Sequence, residues 1–252
     1  MRALYVAATG MTAQQTRIDT IADNLANSGT TAFKKGRATF EDVFYQQLTT
    51  GGDPASAARA DAGGGVRLSG LQKTHVQGAL TSTGDPLHVA LEGPGFFVFD
   101  DTAGEPVYGR DGAMRLDADG RLVNGAGLAL RGDIRIPLEA TSVTVDADGT
   151  VQATLDGEAV ALGQIDVAVF TNPAGLEAVG GNLYRQAPGS GEPIAIEPGA
   201  GTSLRQGFVE SSNVDAAEEL IELIMAQRAY ELNSKVVQAA DETLQTATQI
   251  RR

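Results

Sequence analysis

The chain lacks cysteine and tryptophan altogether, and it has only two histidines. The absence of cysteine excludes a disulfide framework, a thiol nucleophile and a cysteine-based zinc site. Two histidines cannot build a three-histidine metal centre, and a Ser-His-Asp site would have to use His75 or His88. Basic residues are also scarce. The 19 basic and 32 acidic side chains give a formal charge of −13, which argues against nucleic acid as the main partner because phosphate binding needs a basic stripe.

Long apolar runs are absent as well. No window approaches the run of about 18 apolar residues that a transmembrane helix needs, so no membrane insertion is expected. The apolar stretch at the N-terminus stops at Thr9-Gly10, which is too early for the hydrophobic part of a cleaved signal peptide. The chain is therefore expected to stay in the cytoplasm or to leave it by a route that does not cleave the N-terminus.

Both ends of the chain have the periodicity of long helices. The N-terminal end predicts a helix over roughly 3–27, closed by Asn27-Ser28-Gly29, and the C-terminal end predicts one over 214–250, which contains neither glycine nor proline. Ser211-Ser212-Asn213 supplies N-cap candidates for the second helix. Each helix carries an apolar stripe with a spacing of seven residues: Leu4, Met11, Ile18 and Leu25 in the first, Leu223, Tyr230, Val237 and Leu244 in the second.

The segment 84–210 has the pattern of short strands separated by turns. Asp-Gly steps at 111–112, 119–120, 148–149 and 156–157 are turn signals, and the two Asp-Ala-Asp-Gly motifs at 117–120 and 146–149 predict two similar hairpins. The strand candidates are 87–91, 96–99, 114–116, 143–145, 151–155 and 165–170. Spacing and composition favour an antiparallel β domain.

Residues 47–70 differ from both neighbours in composition. They include Gly51-Gly52, Asp53-Pro54 and Gly63-Gly64-Gly65 around an Ala/Ser/Arg run, which is typical of a linker. The predicted organisation is an N-terminal helix with its following segment (1–46), a linker (47–70), a β domain (71–210) and a C-terminal helix (211–252). The fold class is α+β, with the two helices pairing as a coiled coil either inside one monomer or in an assembly.

The sequence contains no convincing catalytic or cofactor-binding motif. The two Asp-Ala-Asp-Gly motifs lack the later ligands of an EF-hand, so plain β-turns are expected. Lone histidines are expected to be ordinary surface or hydrogen-bonded side chains, and the cluster Glu218, Glu219 and Glu222 is expected to be a solvated helix start. No metal, cofactor or enzymatic activity is predicted.

The C-terminal helix is apolar over more surface than one partner helix can cover. Leu220, Ile221, Ile224 and Met225 lie beside the main stripe, and Val236 and Ile250 widen the apolar face further along the helix. Exposed apolar surface of that extent usually marks a protein interface.

Three stretches of the sequence resemble the signature of flagellar rod and hook proteins. The N-terminal stretch comprises 4–11, Gln14-Gln15-Thr16, Ile21-Ala22-Asp23-Asn24-Leu25-Ala26-Asn27 and Thr31-Ala32-Phe33-Lys34-Lys35. The central stretch comprises 86–91 and Gly93-Pro94-Gly95-Phe96-Phe97. The C-terminal stretch comprises 207–214, Ala217-Glu218-Glu219-Leu220 and Gln227-Arg228-Ala229-Tyr230-Glu231-Leu232-Asn233-Ser234-Lys235.

This resemblance implies a non-enzymatic structural subunit. In the family the terminal helices form an inner coiled-coil layer around an export channel, and the β domain forms the outer layer. The resemblance further implies export by the flagellar type III apparatus without signal cleavage, helical stacking into a rod across the periplasm, and torque transmission to the hook. The implied partners are other copies of the chain, other rod and hook proteins, flagellar ring proteins and the export apparatus, and the eight stripe residues would carry helix pairing and assembly.

The chain length and the stretch 227–235 are most similar to subunits of the distal rod, whereas hook proteins are usually longer. Two alternatives stay open at this point. One is a subunit of the proximal rod in the same family. The other, from a different class, is a secreted β-domain enzyme or binding protein that uses its helices only to oligomerise.

Overall fold

A computed structural model describes residues 2–43, 46–50, 58–132, 134–199 and 201–250 of the chain. Within these ranges the helices are α1 (Arg2–Ala26) and α2 (Ala216–Ile250), and a short 3-10 turn spans Pro173–Gly175. The strands β1 to β20 are, in chain order, Gly36–Asp42, Gln46–Thr50, Ala58–Ala62, Val66–Lys73, Leu80–Ser82, Val89–Glu92, Phe96–Asp100, Pro106–Gly109, Arg115–Leu116, Leu122–Val123, Ala129–Leu130, Ser142–Val145, Thr150–Leu155, Glu158–Gln164, Val167–Val169, Glu177–Gly180, Leu183–Arg185, Ile194–Ile196, Ser203–Gln206 and Phe208–Glu210.

The α+β class and both long helices are confirmed, and each strand candidate overlaps an observed strand. The predicted N-cap of α2 is wrong by a few residues. Asp215 caps the helix, because its Oδ1 accepts the N–H groups of Ala217 at 2.9 Å and Glu218 at 3.3 Å. The Ser211-Ser212-Asn213 run lies too far upstream to reach these donors.

The chain divides into two compact units. The first, here called the helical unit, comprises Met1–Ala26, Gly36–Gln72 and Asp215–Arg252. Its two helices pack along each other, β1 pairs with β4, and β2 pairs with β3 in antiparallel register. Most of β2, all of β3 and part of β4 therefore lie within 47–70, for which composition predicts a linker. Residues 51–57 lie outside the described residues. Composition is a poor guide here because strand pairing depends on backbone partners more than on local sequence preference.

The second unit, here called the β unit, comprises Asn27–Lys35 and Lys73–Val214. Its largest sheet has nine strands, in the order β16-β17-β8-β7-β11-β10-β9, with β15 also beside β7 and β18 beside β15. Strands β12, β13 and β14 form a separate meander, and two further pairs join β19 to β6 and β20 to β5. All registered pairs in the β unit are antiparallel, as predicted.

Strand β7 lies between two apolar clusters. Phe97 and Phe99 pack into the main core, and Phe96 and Val98 pack into a second cluster on the opposite face. Successive side chains of a strand alternate between faces, so a strand covered on both sides needs an unbroken apolar run. The sequence Phe96-Phe97-Val98-Phe99 meets that need.

The two Asp-Ala-Asp-Gly motifs form hairpin turns, which confirms the prediction. Gly120 and Gly149 have φ of 76° and 85°, in the left-handed region that glycine adopts without strain. The Asp-Gly step at 111–112 is different, because it lies outside a hairpin turn. A Cβ added to Gly112 would stand 1.7 Å from the carbonyl oxygen of Val89, so close backbone approach, not turn geometry, requires glycine there.

Candidate assembly surface

The two helices approach closely where their side chains are small. Ala7 is 4% exposed and Ala226 is 1% exposed. A Cβ added to Gly10 would lie 3.0 Å from Nδ2 of Asn233. Glycine inside a helix costs about 1 kcal/mol relative to alanine, so packing explains its presence at this position. These four residues, Ala7, Gly10, Ala226 and Asn233, are here called the seam.

Replacing Gly10 by leucine is expected to lower the stability of the helical unit by about 1–3 kcal/mol, since the larger side chain must displace Asn233. Urea denaturation followed by far-UV circular dichroism would measure the loss. Ala22→Leu, at an exposed position of the same helix, is the matched control, and Asn233→Ala should restore part of the loss by making room. Equal stability of the Gly10 and Ala22 variants would show that the seam does not limit side-chain size.

Polar contacts fix the antiparallel pairing of the helices. Near the C-terminal end of α1, Asn24 Nδ2 donates to Glu219 Oε2 at 3.1 Å, and Arg17 donates to Glu222 at 2.9 Å. The Asn24 amide also exchanges two hydrogen bonds with the backbone of Gly36, with its Oδ1 accepting at 2.7 Å and its Nδ2 donating at 2.9 Å. The side chain of Asn24 thus ties the chain that leaves α1 to both helices.

The expectation of a solvated glutamate cluster at the start of α2 is wrong for Glu219, which is fully buried. Only Glu218 of the cluster is exposed, and Glu222 is half-buried beside Arg17. Glutamates in the first turns of a helix are usually exposed side chains that the helix dipole stabilises. The burial of Glu219 depends on Asn24, far away in sequence, so it could not be read locally.

Of the eight predicted stripe residues, none whose side chain the structure describes is fully buried. Tyr230 is 38% exposed, and the side chain of Leu244 lies outside the described residues. The other six are half-buried: Leu4, Met11, Ile18, Leu25, Leu223 and Val237. Their role in assembly stays a prediction.

The opposite face of α2 is apolar and exposed. Ile221 and Met225 are each 61% exposed, and the other members of this surface are also largely exposed. The surface is here called the α2 ridge, and it consists of Leu220, Ile221, Ile224, Met225, Leu232 and Val236. Four of these residues were expected beside the main stripe from the sequence, as was the extension at Val236. Exposure of six large apolar side chains on one helix is typical of a protein interface.

A groove lies between α1 and β4 within the helical unit. Its volume is about 250 Å³, and it is here called the α1 groove. It is lined by Tyr5, Ala8, Thr9, Thr12, Ala13, Thr16, Val66, Arg67 and Leu68. The N–H of Val66 donates to Thr9 Oγ1 at 3.3 Å, which holds the strand beside the helix. The groove was not predicted from the sequence, because one of its walls comes from the segment predicted as a linker.

The β unit contains a buried ionic cluster that sequence reasoning missed. Glu210 and Lys34 are fully buried, and Arg110 is 3% exposed. Lys34 Nζ donates to Glu210 Oε1 and to the carbonyl of Val76, and Arg110 Nε donates to Glu210 Oε2 at 2.8 Å. Burial lowers the pKa of the Lys34 amine, although the Glu210 carboxylate beside it opposes the shift. Lys34 belongs to the quoted N-terminal motif, but its partners are too distant in sequence to be inferred from one chain.

The same cluster joins the two segments by which the chain enters and leaves the β unit. The N–H of Ala32 donates to the carbonyl of Glu210 at 2.8 Å, and the N–H of Lys35 donates to Asn213 Oδ1 at 2.7 Å. Asn213 Nδ2 in turn donates to the carbonyls of Thr74 and Val76. The segment after α1 and the segment before α2 are therefore hydrogen-bonded to each other inside the β unit.

His75 lies between this cluster and the aromatic side chains of the second core. Its ring meets Phe96 edge-on at 5.4 Å and Tyr184 at 4.9 Å between centroids. Burial, with a smaller contribution from Glu210, raises the pKa of Tyr184 to about 12. His88 has a more ordinary setting, with Nδ1 at 2.8 Å from Thr83 Oγ1.

Acidification is expected to destabilise the β unit through His75. Burial, reinforced by the positive charges of Lys34, Arg110 and Lys73, lowers the pKa of His75 to about 4. The unfolded chain then takes up the proton near pH 6.5 and the folded chain only near pH 4, so stability is complete above pH 6.5 and falls as the pH drops towards 4. The contribution lost between pH 7 and pH 5 is about 2 kcal/mol.

Urea denaturation at pH 7 and pH 5 would measure this loss, with His75→Gln as the comparison. The variant should lose less stability than the parent over the same pH interval, because glutamine does not titrate. Identical losses in the two proteins would show that His75 is not the group responsible.

Among the residues that the structure describes, no three His, Asp or Glu side chains are grouped so that they could hold a metal ion. Neither α1 nor α2, over its described length, carries an apolar stretch long enough to cross a membrane.

Three family models match the chain. A model described as flagella basal body rod protein matches residues 4–34, one described as the flagellar hook protein FlgE/F/G D1 domain matches 90–153, and one described as the flagellar basal body rod FlgEFG protein C-terminal matches 205–250. The first and last of these cover most of α1 and α2, so they include both the seam and the α2 ridge.

Several curated proteins are similar to the chain over its whole length, and these are named flagellar basal-body rod protein FlgG. The one from Borreliella burgdorferi is 43% identical over 100% of this chain and 99% of its own length. The one from Agrobacterium fabrum is 43% identical over 96% of each chain, and the one from Bacillus subtilis is 38% identical over 100% of each.

Proposed function

Because the chain belongs to the flagellar basal-body rod family, a structural and non-enzymatic family, we propose that copies of it polymerise helically into the hollow distal rod of the flagellum. In this role the rod transmits torque to the hook and conducts exported subunits through its bore. The alternative of a secreted enzyme or binding protein loses its basis, since the whole-chain relatives are rod proteins.

The α2 ridge is the observation that carries the proposal of self-assembly. Burying one Leu, Ile or Met side chain contributes roughly 1.5–3 kcal/mol, so the ridge represents a large free energy that the single chain does not realise. A chain that polymerises through such a surface regains it in contacts with its neighbours. The eight stripe residues are proposed to pair and assemble the helices beside this surface: Leu4, Met11, Ile18, Leu25, Leu223, Tyr230, Val237 and Leu244.

The proposed arrangement places the terminal helices in an inner coiled-coil layer around the channel and the β unit in the outer layer. The rod would span the periplasm, and its subunits would be exported by the type III apparatus without cleavage of a signal peptide. Its neighbours would be other rod proteins, the hook protein and the ring proteins that surround the shaft. Family membership and the two-unit organisation support this arrangement.

Electron microscopy of basal bodies from the source bacterium tests the function. Deletion of the gene is expected to leave shortened rods without hooks, and re-expression of the full chain should restore full-length rods. A subunit of the proximal rod would instead stop assembly earlier, before any rod is visible beyond the membrane. Full-length rods with hooks in the deletion strain would refute the proposal.

A further inference from the structure

We propose that the α1 groove of one subunit receives the α2 ridge of a second copy of the chain. This inference rests on the proposed function, because it names the contact through which copies would join. The two surfaces belong to the same unit but to different elements, so one chain supplies both halves of the contact.

The chemistry of the groove favours protein side chains as its occupant. Its volume of about 250 Å³ is below the roughly 300–1,000 Å³ of small-molecule sites. The lining is mainly aliphatic and threonine side chains, and the guanidinium of Arg67, which also lines the groove, is paired with Glu41 at 2.9 Å. A row of aliphatic side chains from a helix suits this lining better than a charged or polar ligand does.

The lengths of the two surfaces also correspond. The groove follows α1 from Tyr5 to Thr16, and the most exposed part of the ridge follows α2 from Ile221 to Leu232. Each distance is about three helical turns, or roughly 16 Å. The exposed ridge side chains therefore extend over the same length as the groove.

The two surfaces lie on opposite sides of the helix pair, so a subunit cannot fill its own groove. At 3.6 residues per turn, Tyr5, Thr12 and Thr16 project from the face of α1 opposite the seam. Ile221, Met225 and Leu232 project from the face of α2 opposite the seam in the same way. A contact between two different surfaces placed in this manner is heterologous, and repeating it extends a chain of subunits as a rod requires.

The absence of cysteine allows a direct test by site-specific cross-linking of the full chain. Thr12→Cys and Ile221→Cys, at exposed positions in the groove and on the ridge, are combined in one chain. Oxidation of the assembled double variant is expected to give a ladder of covalent dimers, trimers and longer species that disappears on reduction. Each single variant should give dimers at most, and Thr12→Cys with Asp241→Cys, which pairs the groove with an exposed position away from the ridge, should give no ladder.

The outcomes separate this inference from the proposed function. Polymers visible by electron microscopy, but without a ladder from the groove and ridge pair, would overturn the contact and leave the function standing. Failure of the unmodified chain to polymerise at any concentration would overturn both. In a third outcome, cross-links form only after another rod protein is added, and they join the variant to that protein. This would show that the groove binds a different protein, and the proposal of a second copy would be wrong.

Discussion

Replacing Glu210 by glutamine is expected to lower the free energy of unfolding of the β unit by about 3–5 kcal/mol. The change leaves Lys34 and Arg110 as two buried cations without an anion, whereas the parent shares one carboxylate between them. The carboxylate also accepts the N–H of Gly78 at 2.8 Å, so a backbone donor loses a charged acceptor at the same time. A native domain has only about 5–15 kcal/mol of stability in total, so the loss is a large fraction of it.

Urea denaturation and amide exchange in strand β7 would measure this effect, since β7 lies at the centre of the large sheet. The matched control is Glu41→Gln, which breaks the exposed pair with Arg67 in the helical unit. Exposed pairs contribute little, so the control should leave stability unchanged within error. If the two variants behave alike, the buried cluster does not stabilise the β unit as its geometry indicates.

Two neighbouring substitutions on α2 should separate assembly from folding. Ile224→Asp is expected to abolish polymerisation while the monomer keeps its stability, because Ile224 is 53% exposed and belongs to the ridge. Leu223→Asp is expected to abolish polymerisation and also to destabilise the helical unit, because Leu223 is half-buried beside the seam. A carboxylate forced into a partly buried apolar site carries a desolvation penalty that an exposed one avoids.

Sedimentation velocity measures the polymer, and thermal denaturation followed by circular dichroism measures the monomer. Gln245→Asp, which adds the same charge at an exposed position of α2 outside the ridge, should leave both unchanged. Polymerisation of the Ile224 variant at the parental concentration would remove the ridge from the assembly surface. In both variants the amide exchange of the β unit should stay as in the parent.

The parts of this fold that could be predicted from sequence are those encoded by local periodicity. The spacing from Leu4 to Leu25 defined α1 almost to the residue, and the absence of glycine and proline over 214–250 did the same for α2. The hairpins at Gly120 and Gly149 followed from turn chemistry alone. These features need no knowledge of distant partners.

The features that were missed depend on contacts between residues far apart in sequence. The buried Glu219 accepts a hydrogen bond from Asn24, and the buried Lys34 donates to Glu210 and to the carbonyl of Val76. Heptad spacing marks the large apolar side chains, whereas the packing of Gly10 against Asn233 joins two residues far apart in sequence. The α2 ridge was predicted, because α2 carries more apolar residues than one partner helix can cover. The α1 groove was not predicted.

The hydrogen bonds that join the segments around Lys34 and Glu210 have a consequence for folding order. In the folded β unit, the segment that follows α1 and the segment that precedes α2 are held together at Lys34 and Glu210. Each of these two residues lies within about eight residues of its helix. Two helices tethered by short linkers meet at an effective concentration in the millimolar range, although nearly the whole sequence separates them. Once the β unit has folded, we therefore expect the pairing of α1 and α2 to cost the closure entropy of two short tethers, not that of the whole intervening sequence.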